Sequence, residues 1–164
     1  MNRSTTRRRQ ASESGASAVE FALIMPVLFL LVFGILDYGM LFFDSIGLRQ
    51  GAREGARQAV VQKYGAGCSG AANAKIVCTV KGATDLTLGS AAVKVRAPDG
   101  WVQGKQLIVC VQSKERSLTG FVPFPANGII RTRTVMSIEE ASPTLTADIE
   151  ETAPTGGNWS STWC

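Results

Sequence analysis

The chain has 164 residues, 17 lysines and arginines against 13 aspartates and glutamates, and a net charge of +4. It contains no histidine, which excludes Ser-His and Cys-His nucleophilic centres and histidine-ligated metals. Its four cysteines form no CxxC pair and no glycine-rich phosphate loop follows a strand pattern, so neither cofactor nor metal is expected.

Residues 1–15, MNRSTTRRRQASESG, are polar, lack apolar periodicity and carry Arg3, Arg7, Arg8 and Arg9 against Glu13. So short a basic flank stays cytoplasmic under the positive-inside rule, which places everything after Phe43 outside. Phe21 to Phe43 is a run of 23 residues with a single charge, Asp37. At about 1.5 Å per helical residue it covers a hydrocarbon core of about 30 Å. We therefore expect one long helix with a transmembrane half, 16–43, and an extracytoplasmic half, 44–63, where Arg49, Arg53, Glu54 and Arg57 enter a helix-compatible pattern. A cleaved secretory signal fits less well, because the apolar run exceeds the usual 7 to 15 residues and its far end, FFDSIG, has no small-x-small site close behind it. The basic excess lies in the leader and in this second half-helix, where it serves topology and solvation and calls for no nucleic acid.

Three residues in the span call for a reason. Glu20 stands one residue before the apolar run, where an unpaired carboxylate is costly. It either snorkels to the headgroups or meets a cation, and a cut after Gly15 would create one, the new amine on Ala16, to pair with Glu20 of a neighbouring subunit. Pro26 removes a helical hydrogen bond and should kink or loosen the helix around Ala22 to Pro26. Asp37, beside Tyr38, falls near the outer interface, where it snorkels or meets a partner. Beyond the membrane, Gly47, Gly51 and Gly55 recur every four residues with Ala59 continuing the row, so one helical face is nearly bare. Each glycine costs about 1 kcal/mol against alanine. The row is expected to admit another backbone, either the protein's own sheet or a neighbouring helix. Glu54 and Arg57 are spaced for a weak surface pair.

About 100 residues remain for one small external domain, β-rich over 64–140 with an irregular tail over 141–164. The glycines of Tyr64 to Gly70 suit a left-handed helix cap. Val93, Val95 and Ala97 alternate with Lys94 and Arg96, Leu107 to Val111 is an apolar run, and Ile130 to Ile138 alternates again. The expected fold class is α+β, one long N-terminal helix packed on an antiparallel sheet of about three strands. Cys68, Cys78, Cys110 and Cys164 all fall on the outer side, where disulfides persist. Four cysteines permit three pairings. We expect Cys68 with Cys78, closing a short Gly/Ala-rich loop, and Cys110 with Cys164, tying back a tail whose end, WSSTWC, is too apolar to wander. Trp101, Phe121, Phe124, Trp159 and Trp163 are candidates for either packing or partner contact. The adjacent acids Glu139 with Glu140 and Glu150 with Glu151 are expected to face water, and no enzyme is expected.

Gly15, then Glu20-Phe21 five and six places on, then an apolar helix, resembles the class III signal of type IV pilins and pseudopilins. AVEFALIMPVLFLLVFGILDYGMLFF followed by REGARQAVV is very similar to the TadE-like family, the minor pseudopilins of tight-adherence (Tad) pilus systems. The resemblance covers Gly15 to Val61 well and the outer domain only loosely, and it implies a pilin-like architecture. It also implies cleavage between Gly15 and Ala16 by a prepilin peptidase, Glu20 as the assembly carboxylate and Phe21 as its aromatic neighbour. The implied partners are that peptidase, other pilin or pseudopilin subunits, the inner-membrane Tad assembly platform and the membrane itself, with no small-molecule substrate.

Two functions from different classes follow. One is a processed minor pseudopilin, resident in the cytoplasmic membrane as a single-pass protein with its C-terminal domain outside, and incorporated in a pilus or priming its assembly. The other is a single-pass anchored binding domain that is neither cut nor polymerised.

Overall fold

The structure is a computed structural model that describes residues 6–84, 86, 89–120, 123–142, 144–145, 148–160 and 162–164, with side chains from residue 15 onward. Helix α1 runs from Thr6 to Val60. It passes through Pro26 without interruption, so the loosening expected around Ala22 to Pro26 does not break it. It also begins within the basic leader, where arginine, glutamine, alanine and glutamate are good helix formers.

The end of α1 is not capped by the glycines of Tyr64 to Gly70. Gln62 takes the left-handed position at φ 52°. Its N–H donates to the Ala59 carbonyl at 3.1 Å and that of Lys63 to Gln58 at 3.0 Å, the paired bonds of a Schellman cap. A glutamine is favoured there because its side-chain amide reaches across to the carbonyls of Glu140 and Ala141 at 3.2 and 2.8 Å. The Val60 carbonyl in turn accepts from the N–H groups of Glu139 and Glu140.

A second helix, α2, spans Ala72–Ala83, inside what the sequence presents as a Gly/Ala-rich loop. Its buried residues, Ile76, Thr79 and Val80, follow helical spacing. The sheet has four antiparallel strands, not three: β1 (Ala91–Arg96), β2 (Gln106–Lys114), β3 (Ile129–Ser137) and β4 (Ile149–Glu150), in the order β3-β2-β1-β4. The first three form the expected meander, with Val93 opposite Val111 and Leu107 opposite Met136. The fourth is two residues of the C-terminal tail, too short for any alternation to announce it, pairing Ile149 with Val95.

Leu48, Ala52, Ala56, Ala59 and Val60 of α1 are buried in one cluster with Ile76 and Val80 of α2 and with Val93, Val95, Leu107, Val109 and Val111 of the sheet. Strand β2 is buried from Leu107 through Ser113, which requires cover on both faces. The second cover is the tail. Ile108, Cys110 and Cys164 form a separate cluster under Trp159 and Trp163. The tail is thus a packed layer, held further by Arg96, which donates to the Cys164 carbonyl at 2.7 Å.

Candidate functional site

The N-terminal part of α1 projects free of the domain. Gly15, Ala16, Glu20 and Phe21 are all exposed, and a Cβ built on Gly15 meets no atom within 4 Å. Ala16 and Glu20 are four residues apart, so on a helix they share a face about 6 Å apart along the axis. Beyond them Leu23, Ile24, Val27, Leu28, Leu30 and Leu31 are exposed all round the rod, as expected of a segment whose solvent is lipid. The stretch from Gly15 to Val60 contains an 18-residue window of mean hydropathy 2.6, none of it buried by the rest of the chain. It is long and apolar enough to cross a membrane once.

The bare helical face is filled from within the chain. A Cβ on Gly55 would lie 2.8 Å from the Val80 Cα, and one on Gly51 2.7 Å from the Thr84 Cα and N. The occupant is therefore α2, not the protein's own sheet and not a neighbouring chain's helix; Gly47 is partly buried. The connection into α2 is closed by the Cys68–Cys78 disulfide, and the second disulfide joins Cys110 to Cys164.

Asp37 is the residue whose role the sequence left most open. It is 0 % exposed, although it lies in the apolar run. Residues 117–119, which follow β2, pack against α1 at this point. The Asp37 carboxylate accepts from the Ser117 hydroxyl at 2.8 Å, the Leu118 N–H at 2.9 Å and the Thr119 N–H at 3.2 Å, and also from the Thr119 hydroxyl. One residue on, the Tyr38 hydroxyl donates to the Pro123 carbonyl at 3.5 Å and its ring tilts against Phe124 at 6.0 Å. Asp37 therefore neither snorkels nor waits for a partner chain.

Two turns further along α1, Asp44 is 2 % exposed and faces Glu115, 5 % exposed, at the end of β2. Burial pushes the Glu115 carboxyl up to about 7, opposed by the Ser113 hydroxyl, which donates to it at 2.6 Å, and reinforced to a lesser degree by the hydrogen bond and charge of Asp44. The signal for Asp37 and Asp44 was available: 37, 44, 48, 52, 56 and 59 advance by seven, four and three, so these two acids lie on the same stripe as the buried apolar residues.

The aromatic residues considered for partner contact are engaged internally. Trp101 is buried in the main core. Trp159 and Trp163 stack at 5.3 Å, and their indole N–H groups donate to the carbonyls of Glu151 and Asn158. Phe124 is partly buried against Tyr38; Phe121 lies outside the described residues. Glu150 pairs with Lys94 at 2.8 Å and Glu151 with Lys81 at 2.6 Å, so these adjacent acids do not simply face water. Glu139 and Glu140 are exposed. Glu54 and Arg57 do pair on the surface at 2.8 Å, and the Arg57 hydrogen bonds hold the Glu54 carboxyl down to about 2.

Residues 15–57 match the sequence profile of the family described as TadE-like protein. This segment is TadE-like. The match associates the chain with Tad pilus systems, and it covers the bare rod, Asp37, Asp44 and the glycine row as far as Arg57. The outer domain lies beyond the TadE-like segment. Comparison with curated proteins and with solved structures finds no match.

Proposed function

We propose that the chain is a minor pseudopilin of a Tad-type pilus. A prepilin peptidase cuts between Gly15 and Ala16, and the processed helix assembles with pilin or pseudopilin subunits at the inner-membrane assembly platform. Its role is structural, without catalysis. The observation that carries this reading is the TadE-like match on a rod that keeps Gly15, Ala16, Glu20 and Phe21 free of its own domain. On a helix committed to anchoring alone, Glu20 would do no more than snorkel to the headgroups. A helix that leaves lipid for protein neighbours needs one polar contact to set its register, and an acid paired with a new amine supplies it.

Before processing, Glu20 lies one turn from a peptide group; afterwards it lies one turn from an ammonium of its own chain and within reach of one on an adjacent, staggered chain. Burial between helices strengthens such a pair while making the unpaired acid expensive, so incorporation favours a processed subunit over an unprocessed one. The test is Glu20→Ala in the native host. Membrane insertion is expected to be unchanged, because the apolar run is untouched, while pilus production falls. Normal pili from the Ala variant would overturn the proposal.

A further inference from the structure

We infer that residues 117–120 and 123–125, on the connection between β2 and β3, make a second membrane contact, an apolar surface seated in the headgroup and acyl boundary of the leaflet from which the domain emerges. This rests on α1 crossing a bilayer and not on processing or assembly.

The argument is one of level along the rod. Ser117, Leu118 and Thr119 are fastened to Asp37, and Pro123 and Phe124 to Tyr38. Exposed apolar side chains continue along α1 well past that height: Phe42 is 65 %, Phe43 56 % and Ile46 55 % exposed. Ile46 is nine residues beyond Asp37, or about 13 Å at 1.5 Å per residue. With Phe42, Phe43 and Ile46 in the headgroup layer, a loop tied to the rod about 7 to 13 Å below them lies at the headgroup and acyl boundary. Its described arms, 117–120 and 123–125, are built for that environment. Leu118 is 59 % exposed, Pro123 and Pro125 are exposed, and no charged residue occurs among them. A mostly apolar groove of about 250 Å³ lies between Leu41, Phe42 and Ser45 of the rod and Pro125, Ile129 and Ile130 beside it, with Arg131 also in its lining.

The flanking chemistry is that of an interfacial segment. Arg116, exposed and two residues before Leu118, sits where a guanidinium reaches headgroup phosphates while the residues after it enter the apolar layer. Asp37 is the fastening. Its four donors let the loop dip without leaving two backbone N–H groups unpaired where water is scarce. The helix and the loop thus solve each other's polar problem, and the outer domain is held close to the membrane surface.

The test uses the full chain, with both disulfides formed, reconstituted in phosphatidylcholine–phosphatidylglycerol vesicles. A solvatochromic fluorophore is attached singly at Leu118→Cys, at Pro125→Cys, at Leu28→Cys within the span, and at Val102→Cys. Val102 lies near the Val60 end of α1, far from Asp37. We expect lipid nitroxides placed near the headgroup to quench the Leu118 and Pro125 labels, with blue-shifted emission. Deep nitroxides should quench the Leu28 label, and neither should reach Val102. A quenched Leu28 label with Leu118 and Pro125 labels that read like Val102 would overturn the loop contact while leaving the span intact. Labels at Leu118 and Pro125 that are shielded from water but unquenched by lipid would also overturn it, since the occupant would then be protein.

Discussion

Replacing Asp37 by alanine separates the structural account most sharply from the reading of Asp37 as an interfacial acid that merely snorkels. Hydropathy alone makes the substitution favourable, since an aspartate in the middle of a span costs about 2.5–3.5 kcal/mol on insertion scales and less near the edge. In the structure the same carboxylate accepts four hydrogen bonds, two from hydroxyls and two from backbone N–H groups. Each bond to a charged acceptor is worth about 1.5–3 kcal/mol. The loop can release its donors to water by lifting away, so the loss is limited to undocking, and we expect about 2–4 kcal/mol for Asp37→Ala. Asp37→Asn should lose less, about 1–2 kcal/mol, because its amide oxygen still accepts from the two N–H groups and the hydroxyls can turn to accept from its NH₂. Hydrogen exchange on the full chain in lipid nanodiscs reads this locally. The amides of Leu118 and Thr119 should exchange about 30-fold faster or more in Asp37→Ala, at roughly 1.4 kcal/mol per tenfold, with little change in β2. Unchanged protection at these two amides would refute the assignment of Asp37 as the loop's anchor.

Three further expectations test other parts of the fold. Gly55→Leu must drive α2 off α1, since even a Cβ there falls 2.8 Å from the Val80 Cα; we expect a loss above about 2 kcal/mol, seen as a lower melting temperature that is independent of protein concentration. A concentration-dependent loss would instead place a second chain on the stripe. Replacing Cys110 and Cys164 by serine opens a loop with a sequence separation of 54, which should cost about 4 kcal/mol by chain entropy. The fluorescence of Trp159 and Trp163 should shift to the red, and an unshifted spectrum would mean that the tail packs without its tether. Glu115 binds its proton more tightly folded, with its carboxyl raised from 4.5 to about 7. Its contribution is therefore fully present below about pH 4.5 and is lost as pH rises through 7. We expect stability to fall by about 2 kcal/mol between pH 5 and 8, an effect that Glu115→Gln should abolish; a flat profile for the parent chain would contradict the buried acid pair.

How much of this could be read from residues alone follows from which signals are periodic. The long rod is legible because Phe21 to Phe43 has one charge and the helix pattern never stops before the glycines. The meander is legible because β1 and β3 alternate with period two, and β2 is an apolar run between turns. Helix α2 hid because it has only 12 residues and carries Gly82 and the β-branched Ile76, Val77, Thr79 and Val80, and because the Cys68–Cys78 spacing closes a loop as readily as it staples a helix. The Schellman cap hid because a left-handed glutamine is paid for by its reach to Glu140 and Ala141, a tertiary contact with no local signature. Asp37 was visible as an oddity, yet its partners lie 80 to 82 residues away in the irregular residues that follow β2. The row of glycines announced a close backbone correctly, but chemistry at that spacing cannot say whose backbone it is.

The measurement that tests the central claim most directly is the N-terminal sequence of the mature protein recovered from its native host. The account predicts a start at Ala16, reading ASAVEF, with the arginine-rich leader gone and a free amine one turn from Glu20. Protein that still begins MNRSTT in cells producing pili would contradict it.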